Sequence, residues 1–118
     1  MDIKLQEFKF LNYQINSQIA EIIINRPPIN AFNIGLLDEI LSSLELAKND
    51  GTVRAVLIKS NLEKIFCAGL DLDILIDKPI LKVREFLERL YVKLWDIQYN
   101  MGKPTSAGVN GSARGGGM

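Results

Sequence analysis

The spacing of apolar and polar positions changes character along the chain, and each change marks an element. Residues 4 to 15 and 18 to 25 are rich in Ile, Phe and Tyr and carry no Pro or Gly, which predicts two successive strands with Asn16-Ser17 as the turn. Asn25-Arg26-Pro27-Pro28-Ile29-Asn30 then breaks the sheet, because two prolines remove donors and hold the backbone extended. Leu36, Leu37, Ile40, Leu41, Leu44 and Ala47 recur at three- and four-residue intervals and share one helical face, with Asn33 as N-cap and Asn49-Asp50-Gly51 as the stop.

Val53 to Lys59 is short and rich in β-branched residues, which predicts a buried strand. A second helix is written by Ile80, Val83, Phe86, Leu87, Leu90, Tyr91, Leu94 and Ile97, with Lys78-Pro79 before it and Met101-Gly102 behind it. Thr105 to Val109 reads as one more strand, leading into a Gly-rich turn. The order strand, strand, helix, strand, loop, helix, strand, turn is an α/β succession. It reads as an incomplete domain over residues 1–118.

Composition narrows the chemistry. The chain is 47% hydrophobic and 24% charged with a formal net charge of +0, the profile of a globular protein. Neither that balance nor any local Lys/Arg cluster argues for nucleic acid. No segment approaches membrane-spanning length, and the N-terminus has neither the long apolar run of a secretory signal nor the Arg-rich character of a mitochondrial one, so a cytoplasmic protein is expected. A single cysteine, Cys67, rules out an intrachain disulfide and a Cys-based zinc site. With no histidine, His-dependent triads and His metal sites are excluded. Any catalysis by these residues runs on carboxylates, amides or backbone, and no metal is expected.

Two stretches carry candidate chemistry: Phe66-Cys67-Ala68-Gly69-Leu70-Asp71-Leu72 and Asn110-Gly111-Ser112-Ala113-Arg114-Gly115-Gly116-Gly117. In each, small residues leave backbone N–H groups uncovered, and two such groups converging on one point can hold an oxygen that becomes negative during a reaction.

These stretches, together with Asn25-Arg26-Pro27, Asn30-Ala31-Phe32-Asn33, Leu36-Leu37, Asp50, Val53-Arg54-Ala55-Val56 and Lys103-Pro104, resemble the N-terminal part of the crotonase superfamily, the enoyl-CoA hydratase and isomerase proteins. The resemblance runs nearly end to end and keeps the family's order and spacing. It implies a partial crotonase-like spiral of β-β-α turns, an acyl-CoA thioester as substrate and assembly as trimers or hexamers. Coenzyme A enters only as part of that substrate, and no separate cofactor is expected.

Carried over by position, the backbone N–H groups of Leu70 and Gly116 match the family's two oxyanion donors. Pro28, Ile29 and the Ala68 carbonyl match its pocket for the adenine of CoA. Gly69, Asp71, Gly115 and Gly117 complete the substrate-binding turns, with glycine needed in the triplet so that the acyl group can approach closely. The hydratases place one acidic residue two positions beyond the last glycine and another further on. The expectation is therefore a truncated chain that holds the oxyanion donors without the acid/base. The alternatives are a non-catalytic acyl-CoA-binding or oligomer-modulating protein, and a non-functional gene fragment. Ser112-Ala113-Arg114 departs from the more apolar triplet usual in the family, and the role of Arg114 is open.

Plainer roles compete for several residues. Cys67 reads as a small buried apolar residue, since no histidine or adjacent Lys or Arg activates it. Asp71, with Asp73 nearby, reads as a cap for backbone N–H groups rather than half of a paired acid site. Phe86, Tyr91 and Trp95 read as core or subunit contacts, and Glu85, Glu88 and Lys93 as a solvated helix face.

Overall fold

A computed structural model describes residues 8–28, 30–31, 33–67 and 79–113. Strands β1 (Leu11–Asn16) and β2 (Ile19–Ile24) form an antiparallel hairpin, helix α1 (Ile34–Asn49) crosses over, and β3 (Ala55–Ser60) returns parallel to β2. A short strand β4 (Ile65–Cys67) follows. The chain resumes as a helical rod of α2 (Ile80–Glu88), one π-helical turn at Arg89–Lys93 and α3 (Leu94–Tyr99). It ends in β5 (Thr105–Gly108) and β6 (Ser112–Ala113).

The two sheets show how the succession is built. One has the order β1-β2-β3-β5, and the other contains β4 and β6. Both β3 with β5 and β4 with β6 are parallel neighbours, so a strand–strand–helix unit is followed by a second strand–strand pair stacked on the first. Parallel neighbours require a long crossover, which the helices supply. This is the expected α/β architecture.

Hydrophobic burial holds the first sheet to α1. Ala20, Ile22 and Ile24 alternate inward along β2 and meet Leu36, Leu37, Ile40, Leu44 and Ala47 from α1. On the other face Glu21 accepts a hydrogen bond from Gln14 at 2.7 Å and pairs with Lys59 at 3.3 Å, so β1, β2 and β3 are laced on the polar side as well.

Asn33 caps α1 by accepting from the Leu36 N–H at 2.7 Å. At the far end Lys103 Nζ donates to the carbonyls of Ala47 and Asp50 at 2.6 and 2.8 Å, satisfying acceptors that the helix leaves open. Phe86 and Leu90 from the rod close the core, and Arg89 ties the rod to Asp38 of α1 at 2.6 Å.

Several expected boundaries move. The first strand begins at Leu11, residues 8–10 being outside it, and the hairpin turn falls at Ser17-Gln18, both with positive φ. The third strand starts at Ala55 rather than at Val53, and the fifth ends at Gly108, leaving Val109 outside. Ile80 and Tyr91, expected on the inner helix face, are exposed, and Trp95 is also exposed, stacked on Tyr99 with ring centroids 4.8 Å apart. The inner face is carried by Val83, Phe86, Leu87, Leu90, Leu94 and Ile97, across a π turn that rotates the following residues relative to a regular helix.

Candidate active site

Both glycine-bearing stretches are entered from strands that pair with one another. Ile65 lies opposite Ser112 and Cys67 opposite Ala113, so β4 uses one residue more than β6 over the same span. That extra residue is Phe66, a bulge of the kind that ends pairing and redirects the chain.

The turns before these strands are also fastened together. Asn110 Nδ2 donates to the Leu62 carbonyl at 2.7 Å. Gly111 lies so close to the chain at Lys64 that a Cβ at 111 would stand 2.0 Å from the Lys64 carbonyl oxygen, so only glycine fits there. Lys64 itself has φ 63°, a left-handed conformation unusual for a residue with a side chain.

A second connection runs from β4 to the loop before α1. Asn30 is fully buried with φ 54°. Its Nδ2 donates to Ser60 Oγ at 2.8 Å and to the Phe66 carbonyl at 2.9 Å, while its Oδ1 accepts from the Arg26 N–H at 2.7 Å. The Asn30 N–H donates to the Arg26 carbonyl at 2.8 Å, and the Cys67 thiol lies 3.0 Å from the Asn30 carbonyl. Arg26 also reaches the Ala31 carbonyl at 2.8 Å. The loop carrying Pro28, which is exposed, is thereby pinned to the strand that leads into the first candidate turn. Cys67 is fully buried, in line with its reading as a small core residue.

Of the expected site residues, Pro28 is described; Ile29, Ala68, Gly69, Leu70, Asp71, Gly115, Gly116 and Gly117 lie outside the described residues, as do Asp73 and Arg114. What the structure brings together is the approach to both turns: β4 to the first, β6 to the second, side by side and parallel. In the sequence Asn30 and Asn110-Gly111 stand only as parts of a pattern, with no role of their own. The sequence signals for them are an asparagine just after the Pro27-Pro28 pair and the Asn110-Gly111 dipeptide, both turn-forming patterns. Among the described residues no group of three or more His, Cys, Asp or Glu side chains could hold a metal ion, and no helix is long and apolar enough to cross a membrane.

The stacked parallel strand pairs, two of whose strands lead into the glycine-bearing stretches, define an α/β protein of the crotonase kind. The profile of the enoyl-CoA hydratase/isomerase family matches residues 14–118, and the chain belongs to that family. It is 36% identical over 101 residues to human mitochondrial enoyl-CoA hydratase domain-containing protein 2, an alignment that covers 85% of this chain and 34% of that protein. Trans-2-decenoyl-[acyl-carrier-protein] isomerase of Streptococcus mutans is 40% identical over 67 residues, which cover 56% of this chain and 25% of the relative.

Among solved structures, a putative enoyl-CoA hydratase/isomerase from Legionella pneumophila superposes with a TM-score of 0.83 at 33% identity, covering 94% of this chain and 44% of that one. DspI of Pseudomonas aeruginosa gives a TM-score of 0.84 at 27% identity, covering 92% and 44%. The chain thus spans less than half the length of the proteins it matches.

Proposed function

We propose that this chain contributes the acyl-CoA-binding and oxyanion-stabilising part of an enoyl-CoA hydratase or double-bond isomerase. A thioester carbonyl would sit between the main-chain N–H groups of Leu70 and Gly116. Loss of an α-proton, or attack at the β-carbon, would then give an enolate whose charge is met by fixed dipoles. Such donors contribute because they need no reorganisation as charge develops, and removing one costs roughly 10²- to 10³-fold in other enzymes.

One observation supports this reading above the rest. Cys67 and Ala113 are opposite one another in a parallel pair, and each proposed donor lies three positions further along its own chain segment. Equal offsets from a paired starting point would let the two donors meet at a common place. The loop around Pro28 and Ile29, anchored through Asn30, would receive the adenine end of CoA, and Ala68, Gly69, Asp71, Gly115 and Gly117 would line the path to the thioester.

A chromophoric thioester tests the reading on the full chain. Para-dimethylaminocinnamoyl-CoA absorbs at longer wavelength when its carbonyl oxygen accepts hydrogen bonds, because these favour the charge-separated form. The expected result is saturable binding, competed by crotonyl-CoA, with a red shift of the bound chromophore. Binding without a shift removes the oxyanion role, and absence of binding removes the acyl-CoA assignment altogether.

A further inference from the structure

The two turns that precede β4 and β6 are equivalent positions in successive units of the spiral, yet they are joined by more than the strand ladder. Asn110 Nδ2 reaches across to the Leu62 carbonyl at 2.7 Å, and Gly111 seats its backbone directly on the Lys64 carbonyl. The receiving side is shaped for this contact. Lys64 adopts φ 63°, and Ser60 Oγ accepts from the Leu62 N–H at 2.9 Å, which holds the turn in the form that presents both carbonyls. A residue with a side chain persists in a left-handed conformation only where its surroundings over-determine it.

The contact also stands at a sensitive place. The β4–β6 pair is only three residues long on one side and two on the other, with a bulge between its paired positions. A ladder that short has little register of its own. The clamp at 110–111 and 62–64 fixes how far β6 is advanced along β4, and any slip is passed directly to the segments that follow Cys67 and Ala113.

We infer that Asn110, acting with Gly111, is a positioning residue that sets the second donor turn against the first. The inference rests on the proposed oxyanion reading and extends it: thioester polarisation, rather than nucleotide binding, depends on this clamp.

Asn110→Asp keeps the side-chain shape but can no longer donate to the Leu62 carbonyl, and Asn110→Ala removes the contact without adding charge. Each is expected to bind para-dimethylaminocinnamoyl-CoA about tenfold more weakly than the parent chain, the size of effect one well-made hydrogen bond supports. The red shift should shrink, while the affinity for free CoA stays the same. Gly111→Ala should abolish the shift if the variant folds. Asn100→Ala serves as a control, since it also deletes exposed asparagine hydrogen bonds, to Asp96, but at the end of α3 rather than in either turn, and its shift should match the parent.

Four outcomes are informative. A diminished shift with intact CoA affinity in both Asn110 variants supports the inference. An unchanged shift in folded Asn110→Asp and Asn110→Ala overturns it while leaving the oxyanion reading standing. Equal loss of thioester and CoA affinity also overturns it, because the clamp would then hold only the fold. A parent chain that shows no shift removes the hole itself, and this inference with it.

Discussion

Asn30 donates to the carbonyl of Phe66 at 2.9 Å, and Phe66 is the residue by which β4 exceeds its partner strand. A bulge takes one residue out of the ladder, and a carbonyl freed in a buried place needs another donor. Asn30 supplies it from a loop more than thirty positions earlier. The same side chain accepts from Arg26 and donates to Ser60, so one amide satisfies the loop, the end of β3 and the bulge together.

Replacing Asn30, which is fully buried, with alanine deprives the Arg26 N–H, Ser60 hydroxyl and Phe66 carbonyl of the partner they share. The expected loss is about 3 kcal/mol of unfolding free energy, measured by urea titration. Asn30→Gly deletes the same bonds but tolerates φ 54° without a Cβ penalty, and should be about 1 kcal/mol more stable than the alanine variant. A loss below about 1 kcal/mol in Asn30→Ala would mean that the loop is held by other means.

Tyr13 presents the opposite situation. Its hydroxyl oxygen is buried and has no hydrogen-bond partner among the described residues. Burial, with the nearby Asp50 charge adding to it, pushes the phenol from its ordinary 10.0 up to about 12. The folded state therefore holds this proton more tightly than the unfolded chain does. The sign follows: the contribution is complete below pH 10 and is lost as pH rises from about 10 to about 12. Tyr13→Phe should remove that alkaline decline. At neutral pH it should also leave stability unchanged or raise it by about 1 kcal/mol, since an orphaned hydroxyl is exchanged for hydrogen. Thermal unfolding across pH 7 to 11 checks both, and a Tyr13→Phe variant less stable by more than about 1 kcal/mol at neutral pH would show that the hydroxyl has a partner of value.

The elements that could be read from sequence are those with a long enough period. Helix α1 has five apolar contacts at three- and four-residue spacing and an asparagine at its start, and both its face and its Asn33 cap are where that pattern puts them. Strand β3 follows from its β-branched run. By contrast, β4 and β6 have three and two residues, too few for any periodicity, and they exist because their turns are clamped and their neighbours run parallel. The π turn at Arg89–Lys93 is equally silent, since one extra residue per turn leaves no mark on a pattern of mixed apolar and charged positions. For the site, the glycine-bearing stretches were recognisable as motifs. The work of Asn30 was not, because its three partners come from sequence positions 26, 60 and 66 and meet only in the fold.

Strand β5 forms the outer edge of the described four-stranded sheet, paired on one side with β3 from Val56↔Thr105 to Lys59↔Gly108. Its residues Thr105, Ser106, Ala107 and Gly108 carry no charge, and the last three are exposed. Beside it lies a groove of about 420 Å³ lined by Ile58, Gln98, Lys103 and the stacked pair Trp95 and Tyr99. An uncharged edge next to exposed aromatics lacks the features that normally prevent strand addition. The chain on its own should therefore associate as its concentration rises. Ser106→Lys places a charge on that edge without touching the core, and should move the distribution toward the monomer in sedimentation velocity while leaving the thermal midpoint within a few degrees. Trp95→Ala tests the aromatic shelf separately and should weaken association less, because it leaves the backbone edge open. If the unaltered chain sediments as a monomer at every concentration, edge pairing is not favourable enough to matter. If it associates and Ser106→Lys does not reduce this, the contact lies on another face.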